Sequence, residues 1–359
     1  MKGSDKIVVV DYIGNCNSKG EAIGHVLKTL KEANDFLGDR YNIKYMLTSD
    51  YAKYFDNHNI IHIFKHSSKV NYNGGRMKKA LFRLKKILAV MKALRKEEKI
   101  WFLNTDFYLY LGLLLSFTKG KKIFVTNYID YEKDEGLVGI IKKKVYQLSL
   151  KKIAVEFTTN PNKKTKRCRF VPDYSFDQSK YSKYFCENKQ DRVYMCGGIN
   201  EAKDIEGLVS TFNKNNQPLV VKGNFSSEIQ YEKLLKVKNK NISLEHKFLN
   251  DDEFYHNIAS NKYVILPYKK ENYYHRSSGI ILETIFLGSI VIAPNFVLRF
   301  LGIEGIGYDD ISELDNFRLD NIDKNKIEKI KKNNKQILKL YDSSIIQKKY
   351  LDIFSEKLG

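Results

Sequence analysis

Short, almost wholly apolar segments alternate along this chain with longer segments of helical periodicity, and this alternation constrains the fold more than any other feature. An apolar run of four to six residues is typical of a strand buried on both faces, and a helix between successive strands produces parallel pairing. The sequence therefore predicts an α/β protein with parallel sheets. The strands predicted in the first half are Lys6–Asp11, Ile43–Leu47, Ile60–Phe64, Ile100–Leu103, Lys122–Thr126 and Ile153–Thr158.

Helical patterns lie between those strands, and a second α/β series follows a Pro-containing linker at Arg169–Asp177. The predicted helices of the first series are Gly20–Leu37, Met77–Lys96 and Leu137–Leu150. The second series has predicted strands at Val193–Cys196, Pro218–Val221, Ile242–Glu245, Tyr263–Pro267 and Ser289–Ala293, and helices at Asp204–Asn213, Ser226–Lys236, Asp251–Ile258 and Ser278–Leu287.

The two series predict two Rossmann-like domains, residues 1–175 and 176–325. Residues 326–359 form C-terminal helices, which we expect to pack back toward the N-terminal domain. Two such sheets joined by a linker would face each other across a cleft lined by the carboxyl ends of their strands. Ligands of open α/β sheets bind at those ends, beside helix N-termini.

Positive charge is concentrated in the first half of the chain. Residues 1–175 contain 34 Lys and Arg and 17 Asp and Glu, a net charge of +17, whereas the whole chain carries +20. A charge that served only solubility would be spread evenly. The asymmetry indicates that the first domain meets a polyanion or an anionic membrane surface.

Cysteine spacing and hydropathy favour a cytoplasmic protein that is either soluble or held at a membrane from one side. The four cysteines show no CxxC motif, as expected of reduced thiols. Ile7–Val10 is too short an apolar run for a signal peptide. The most apolar stretch, Trp101–Phe117, contains Asn104 and Asp106 and is too short to span a membrane.

One segment of the second half, NYYHRSSGIILETIFLGSIVIAP, combines an anion site with a carboxylate. Ser277 or Ser278 can cap the helix that follows, and Gly279 allows a ligand to approach its first turn. The helix amides and Arg276 provide positive charge for a phosphate. Glu283 lies one turn inside the helix and is expected at the rim of the cleft, where its carboxylate would bind a ribose diol. Together these residues predict a nucleotide site.

This segment resembles the donor-binding signature of GT-B glycosyltransferases, especially the retaining glycosyltransferase family 4, in a likeness that extends over residues 192–308. The resemblance implies a GT-B fold and assigns Gly198 and Lys203 to the diphosphate loop. Two positions depart from the family pattern. His275 stands where the family has the first acid of its Glu-x7-Glu motif, and Ile199-Asn200 stand where an Arg is expected. Lys222 and Gly223 correspond to the second strand and its Gly turn, and Phe248 to the approach to the base pocket.

The resemblance implies a hexosyltransferase-type enzyme that moves a sugar from a nucleotide-diphosphate-sugar donor to a lipid-linked or polysaccharide acceptor. Retention of configuration and independence of metal ions and other cofactors are implied with it. Arg276 and Lys203 would stabilise the departing diphosphate, with Arg276 or Lys222 supplying the missing loop charge and His275 near the sugar. The Lys-, Asn-, Ile- and Tyr-rich composition is typical of a bacterium of low GC content, in which such enzymes build surface glycans.

The first domain of such enzymes binds the acceptor through loops that follow its strands. Gly14 and Asn15 lie in one such loop and Asn127 in another. An inverting enzyme would need a carboxylate near the acceptor as general base, and Asp106 and Asp130 are the candidates for that role.

The segment Gly75–Lys99 is the second strong signal, because apolar residues recur there at helical spacing among ten Lys and Arg. We expect its apolar stripe to pack on the sheet and its basic face to dock on anionic lipid, extended by Lys142–Lys144 and Lys151–Lys152. The protein would then be peripheral on the inner face of the cell membrane.

Two other function classes remain open. A nucleotide-sugar epimerase of GT-B fold would bind the same donor but would need no basic membrane face. A nucleic-acid-binding protein would explain the positive charge, but it predicts aromatic residues among the basic ones, and Gly75–Lys99 is mainly aliphatic. A metal site is not expected, because His58, His62 and His66 lie on a strand pattern that places successive histidines about 13 Å apart at about 3.3 Å per residue.

Overall fold

The computed structural model describes residues 5–14, 26–64, 75–116, 118–128, 131, 136–160, 163, 166–172, 174–274 and 278–358. The chain divides into two compact units, residues 1–173 with 344–359 and residues 174–343. The first boundary therefore falls two residues before the expected one, and the last helix belongs to the first unit.

Unit 1 is built on a parallel seven-stranded sheet in the order β3-β2-β1-β4-β5-β6-β7. The interior strand KIVVVD is buried on both faces, which is why four of its six residues are apolar and β-branched. The strands are β1 Lys6–Asp11, β2 Asn42–Thr48, β3 Ile60–Phe64, β4 Lys99–Phe102, β5 Lys122–Asn127, β6 Val155–Thr158 and β7 Cys168–Phe170.

Helices cover both faces of this sheet. The helices of unit 1 are α1 Val26–Leu37, α2 Ser49–Ala52, α3 Arg76–Ala93, α4 Phe107–Leu115, α5 Gly136–Ser149 and the C-terminal α14 Ser343–Leu358. Helices α1 and α14 contribute to the core on one face, where Phe354 of α14 stacks on Phe124 and lies against Trp101. Helices α3, α4 and α5 contribute to the core on the other face.

Unit 2 is built on a parallel six-stranded sheet in the order β10-β9-β8-β11-β12-β13. Its strands are β8 Gln190–Ile199, β9 Leu219–Phe225, β10 Ile242–His246, β11 Asn261–Ile265, β12 Ile290–Pro294 and β13 Ile306–Tyr308. Its helices are α6 Gln178–Tyr181, α7 Ile205–Asn215, α8 Glu228–Val237, α9 Asp251–Ala259, α10 Lys270–Tyr273, α11 Gly279–Phe286, α12 Asn295–Leu301 and α13 Lys324–Leu338.

The predicted α/β class and parallel sheets are confirmed, but strands β7 and β13, the nine-residue helix α4 and the shorter helices α2, α6, α10 and α12 were missed. Cys168–Phe170, at the start of the predicted linker, pairs with β6 as edge strand β7. Helix α4 was missed because its FYLYLGLLL sequence has no polar face to reveal a helical period. Strand β13 has only three residues. Among the described residues, none of the helices has both the length and the apolar content needed to cross a bilayer.

Candidate functional site

The carboxyl ends of β8 and β9 approach each other unusually closely in unit 2. A Cβ atom on Gly223 would overlap the carbonyl oxygen of Gly197, so only glycine fits at that point of β9. Gly197 has φ +86°, which favours glycine, and a Cβ there would lie 2.7 Å from the side chain of Ile280. Gly198, the next residue, is exposed. Glycines therefore occupy the carboxyl ends of β8 and β9, where the resemblance places the diphosphate loop.

Lys203 places a buried positive charge near the carboxyl end of β8. Its side chain is only 4% exposed, and its Nζ donates a hydrogen bond to the carbonyl oxygen of Cys196 at 3.2 Å. The ammonium also lies 5.8 Å from the centroid of the Tyr268 ring and 3.8 Å from the position of a Cβ on Gly197. Within the part of the chain that the structure describes, no carboxylate forms an ion pair with Lys203. Burial lowers the pKa of Lys203 to about 8.

The nearby thiol does not neutralise that charge. Burial raises the pKa of Cys196 to about 12, so the thiol stays protonated at neutral pH. The Lys203 ammonium therefore has one backbone carbonyl and one aromatic face as its described partners. A buried ammonium with so few acceptors favours binding of an anion.

Two loops fix the position of Lys203. Lys203 forms an antiparallel bridge with Tyr268, and two further backbone hydrogen bonds flank it, from Asp204 N to the Pro267 oxygen at 2.7 Å and from Lys269 N to the Ala202 oxygen at 3.0 Å. Asp204 then caps α7 by accepting a hydrogen bond from the Gly207 amide. The loop after β8 is thereby held against the loop after β11.

Ser278 caps α11, as expected, by accepting from the Ile281 amide. It is buried and its hydroxyl also lies 2.7 Å from the hydroxyl of Tyr268. Gly279 is packed against the ring of Tyr174, which a Cβ at that position would overlap. Tyr174 therefore explains the glycine at the start of this helix, in addition to any ligand.

Glu283, which the sequence analysis expected near the rim of a cleft, is buried in unit 2. Its side chain is 5% exposed, and its Oε1 accepts a hydrogen bond from the hydroxyl of Tyr255 on α9 at 3.3 Å. Helix α9 packs against α11 and covers the side of the helix on which periodicity places Glu283. Binding of a ribose by Glu283 stays a prediction.

Lys222 is also placed differently from expectation. Strand β9 pairs with β10, and this brings the Lys222 ammonium 3.0 Å from the carboxylate of Glu245. That ion pair makes Lys222 a poor replacement for the missing loop arginine. Phe248 follows β10 and is 52% exposed, so its ring is accessible for stacking on a base.

The candidate acceptor residues of unit 1 have structural partners. Gly14 has φ +66° and donates its amide to Asp11 at 3.1 Å, closing the turn after β1. Asp106 caps α4 by accepting from the Leu109 amide at 3.1 Å, and the same oxygen accepts from the hydroxyl of Tyr12 at 2.7 Å. Asp106 therefore has a structural role as the cap of α4, and its role as a general base stays a prediction.

Asn127 belongs to a buried polar network. Its amide donates to Glu156 Oε1 at 2.6 Å, and Glu156 also accepts from Lys163 at 2.9 Å and from the Tyr146 hydroxyl at 2.6 Å. Glu156 is fully buried, so these partners stabilise a charge that would otherwise be unpaired. Asn127 therefore has a structural role in unit 1.

Five of the candidate donor- and acceptor-site residues lie outside the described part of the chain, as does His66: Asn15, Asp130, His275, Arg276 and Ser277. Sequence reasoning missed Tyr255 and Tyr268, which contact Glu283 and Ser278. Their signal was weak, because a single tyrosine in an amphipathic helix or after a strand is most often part of the core. Only the packing of α9 and of the loop after β11 brings them to the site.

Comparison with known proteins shows the fold. No family model matches the sequence, and a search of curated proteins gave no significant match. Solved structures do match over nearly the whole chain. An α,α-trehalose 6-phosphate synthase from Burkholderia multivorans has 8% identity and a TM-score of 0.68, with 99% of each chain covered. A trehalose-6-phosphate protein from E. coli, solved with UDP-2-fluoro glucose, has 8% identity and a TM-score of 0.69, with 97% of this chain and 99% of that chain covered.

The glycosyltransferase AviGT4 of avilamycin A biosynthesis is similar at 9% identity and a TM-score of 0.59, with 98% of this chain and 97% of that chain covered. Identities this low establish the architecture and leave the reaction open. The chain has the fold of the GT-B glycosyltransferases, with two units that each carry a parallel sheet.

Proposed function

We propose that this protein is a glycosyltransferase that takes a nucleotide-diphosphate sugar as donor and binds its diphosphate beside Lys203. The observation that carries the proposal is the buried Lys203 ammonium at the carboxyl edge of the unit 2 sheet, where glycines clear the surface. Charge develops on the leaving diphosphate in the transition state, and a positioned ammonium in a dry site stabilises it. We propose that this charge stabilisation requires no metal ion.

The acceptor is proposed to be lipid-linked or a polysaccharide, and the product a bacterial surface glycan. We propose transfer with retention of configuration, as the resemblance to the retaining glycosyltransferases implies. A retaining enzyme can pass the acceptor proton to the departing phosphate and needs no separate base. The anomeric proton coupling of the product, measured by NMR, distinguishes retention from inversion.

We propose that the enzyme acts at the cytoplasmic surface of the cell membrane. The support is the basic helix α3, which contains seven Lys and Arg and no acidic residue. Each basic residue near an anionic bilayer contributes about 1 kcal/mol to binding.

A ligand panel tests the donor site. UDP-, GDP-, CMP- and dTDP-sugars are added to the full chain, and binding is measured by calorimetry at pH 7. We expect one nucleotide class to bind, and we expect Lys203→Met to weaken that binding by at least about tenfold, because a charge-assisted hydrogen bond to a phosphate contributes about 1.5–3 kcal/mol. Glu283→Ala in the same panel tests the ribose contact.

The matched control is Lys262→Met. Lys262 lies near the amino end of β11, at the opposite end of the strands from Lys203, and it pairs with Asp191, so its replacement should leave donor binding unchanged. Absence of binding by all four nucleotide classes, or equal weakening by Lys203→Met and Lys262→Met, would contradict the proposed site. Activity that survives EDTA would support metal independence, and activity that is lost would refute it.

A further inference from the structure

The outward side of helices α3, α4 and α5 is apolar to an extent found nowhere else among the described residues. Nine of the nineteen exposed large hydrophobic residues of the described chain lie on these three helices, so they form a cluster and are not scattered. We call this surface the α3–α5 face. Its apolar members are Met77, Leu81, Leu88, Leu115, Leu137, Val138, Ile140, Ile141 and Leu148.

Helix α5 exposes its apolar side and buries a more polar side, which is the reverse of an ordinary surface helix. Gly139, Tyr146 and Ser149 are its buried residues, and Tyr146 and Ser149 are polar. Its exposed side carries Leu137 at 76% and Ile141 at 53% exposure, and Leu148 two turns farther along. Positions separated by four and eleven residues lie on one face of a helix. Helix α5 therefore presents an aliphatic stripe to its surroundings.

Helix α3 adds a parallel apolar stripe with positive charge beside it. Met77, Leu81 and Leu88 are exposed, so the expectation that the apolar residues of this helix all pack on the sheet was wrong for these three. They are spaced by four and seven residues, which places them on one side of α3. The exposed lysines Lys78, Lys85 and Lys92 recur every seven residues and form a basic stripe next to them.

The helices form one continuous face. Helix α4 contacts both α3 and α5, and the guanidinium of Arg83 on α3 lies over the ring of Tyr108 on α4 at 5.7 Å from its centroid. All three pack on the same side of the unit 1 sheet. The apolar stripes of α3 and α5 thus belong to one surface of a single unit.

We infer that the α3–α5 face inserts its aliphatic side chains into the interfacial region of an anionic lipid bilayer. The inference rests on the proposed function, which places the enzyme at the membrane, and it specifies how the protein would bind there. It differs from electrostatic adsorption of α3, because it makes α5 the apolar anchor and gives the lysines a flanking role. Lysines beside an aliphatic surface can keep their ammonium groups at the level of lipid phosphates while their stems lie along the acyl boundary.

The charge and composition of the face favour lipid over protein. The three helices contain ten Lys and Arg and no Asp or Glu, so two copies of this face would repel each other. Protein interfaces are enriched in aromatic residues and depleted in lysine. The exposed part of the α3–α5 face has the reverse composition, aliphatic residues with lysine, which is typical of helices that lie in a membrane interface.

Vesicle sedimentation with the full chain and no nucleotide tests the inference. The vesicles contain phosphatidylcholine with 30% phosphatidylglycerol, a composition chosen to supply anionic headgroups, and binding is measured at 0.1 and 0.5 M NaCl. We expect Leu137→Gln/Ile141→Gln to lower the partition coefficient by at least about tenfold, because two inserted aliphatic groups are lost. Salt should weaken wild-type binding without abolishing it, since insertion of apolar groups is not screened.

The matched control is Ile229→Gln/Val237→Gln on α8 of unit 2, which removes two aliphatic residues of comparable exposure, 84% and 53%, from another helix. We expect less than a twofold change. Ile141→Trp gives a direct readout: its emission should shift to shorter wavelength with vesicles and be quenched by brominated lipid. The natural Trp101 is fully buried and stays as a constant background.

Several outcomes would overturn the inference. Equal partition of the wild type and Leu137→Gln/Ile141→Gln, complete loss of wild-type binding at 0.5 M NaCl, or an Ile141→Trp emission that brominated lipid does not quench would each refute insertion. A wild type that self-associates in sedimentation velocity and ignores vesicles, while the double variant is monomeric, would assign the face to a second copy. Donor binding measured in the same double variant separates this test from the proposed function, because the unit 2 site is untouched.

Discussion

Replacing Lys203 by methionine removes a buried positive charge and keeps an unbranched side chain of similar length. The perturbation is informative because the charge is unfavourable for folding. The unfolded chain holds the Lys203 proton with the ordinary pKa of 10.5, whereas burial lowers the pKa in the folded protein to about 8. We therefore predict that Lys203→Met stabilises the protein without ligand and weakens donor binding.

The magnitude follows from that pKa difference. Each pKa unit corresponds to about 1.4 kcal/mol, so the charged lysine destabilises the folded state by about 3 kcal/mol at neutral pH. Removing the charge should therefore stabilise the folded state, but methionine cannot form the hydrogen bond to the Cys196 carbonyl. The loss of that bond offsets about 1 kcal/mol of the stabilisation. The net expectation is a stabilisation of about 2 kcal/mol, or a Tm increase of about 5 °C for a unit of this size.

The pH dependence provides the sharper test. Below pH 8 both states of the wild type are protonated, and the full penalty applies. Between pH 8 and 10.5 the folded state has lost the proton and the unfolded state still binds it, so wild-type stability rises with pH relative to the variant. The advantage of Lys203→Met should shrink through this window and disappear above it.

Differential scanning calorimetry of both proteins from pH 7 to 10.5 measures this difference, with Lys262→Met as control at an exposed, ion-paired lysine. A variant that is less stable than the wild type at pH 7, or a stability difference that does not change with pH, would refute the reasoning. In the wild type, donor affinity should also fall as pH rises through about 8, since the ammonium is the anion-binding form.

Three further predictions concern packing. Gly223→Ala should destabilise unit 2 by about 1–3 kcal/mol, because the added methyl group overlaps the Gly197 carbonyl; a lower calorimetric Tm checks this. Lys163→Met should lower the unfolding free energy by about 3–5 kcal/mol by leaving Glu156 buried without its ion-pair partner, and adding Glu156→Gln should recover part of the loss in urea titrations. Phe354→Ala should cost about 3–5 kcal/mol, and the adjacent Trp101, the only tryptophan, reports it by fluorescence; an unchanged midpoint would show that α14 does not stabilise unit 1.

Much of the fold follows from local sequence. The strand KIVVVD is apolar on both faces, and this pattern has few solutions other than the interior of a parallel sheet. Helix α11 begins at its predicted cap because the Ser278 hydroxyl satisfies a backbone amide of the first turn, which is a local interaction. The elements of the site were predictable for the same reason.

The orientation of particular side chains was not predictable in this way. Periodicity places Glu283 on one side of α11, but only the packing of α9 determines that this side is covered and that Tyr255 is its partner. Lys222 was a candidate for the diphosphate until strand pairing placed it beside Glu245. Both outcomes depend on residues distant in sequence, whose proximity no local pattern encodes.

By itself, the sequence determined the parallel α/β architecture, the glycine-rich edge of the second unit and the concentration of positive charge in the first, because each depends on residue types at short spacing. Only the tertiary structure decided which faces of the helices are covered. Helix α5 shows the difference: its period predicts a helix, but the packing of Gly139 and Tyr146 against unit 1 leaves Leu137 and Ile141 outside. Burial depends on the neighbours that an element receives in three dimensions, and a one-dimensional period does not contain that information.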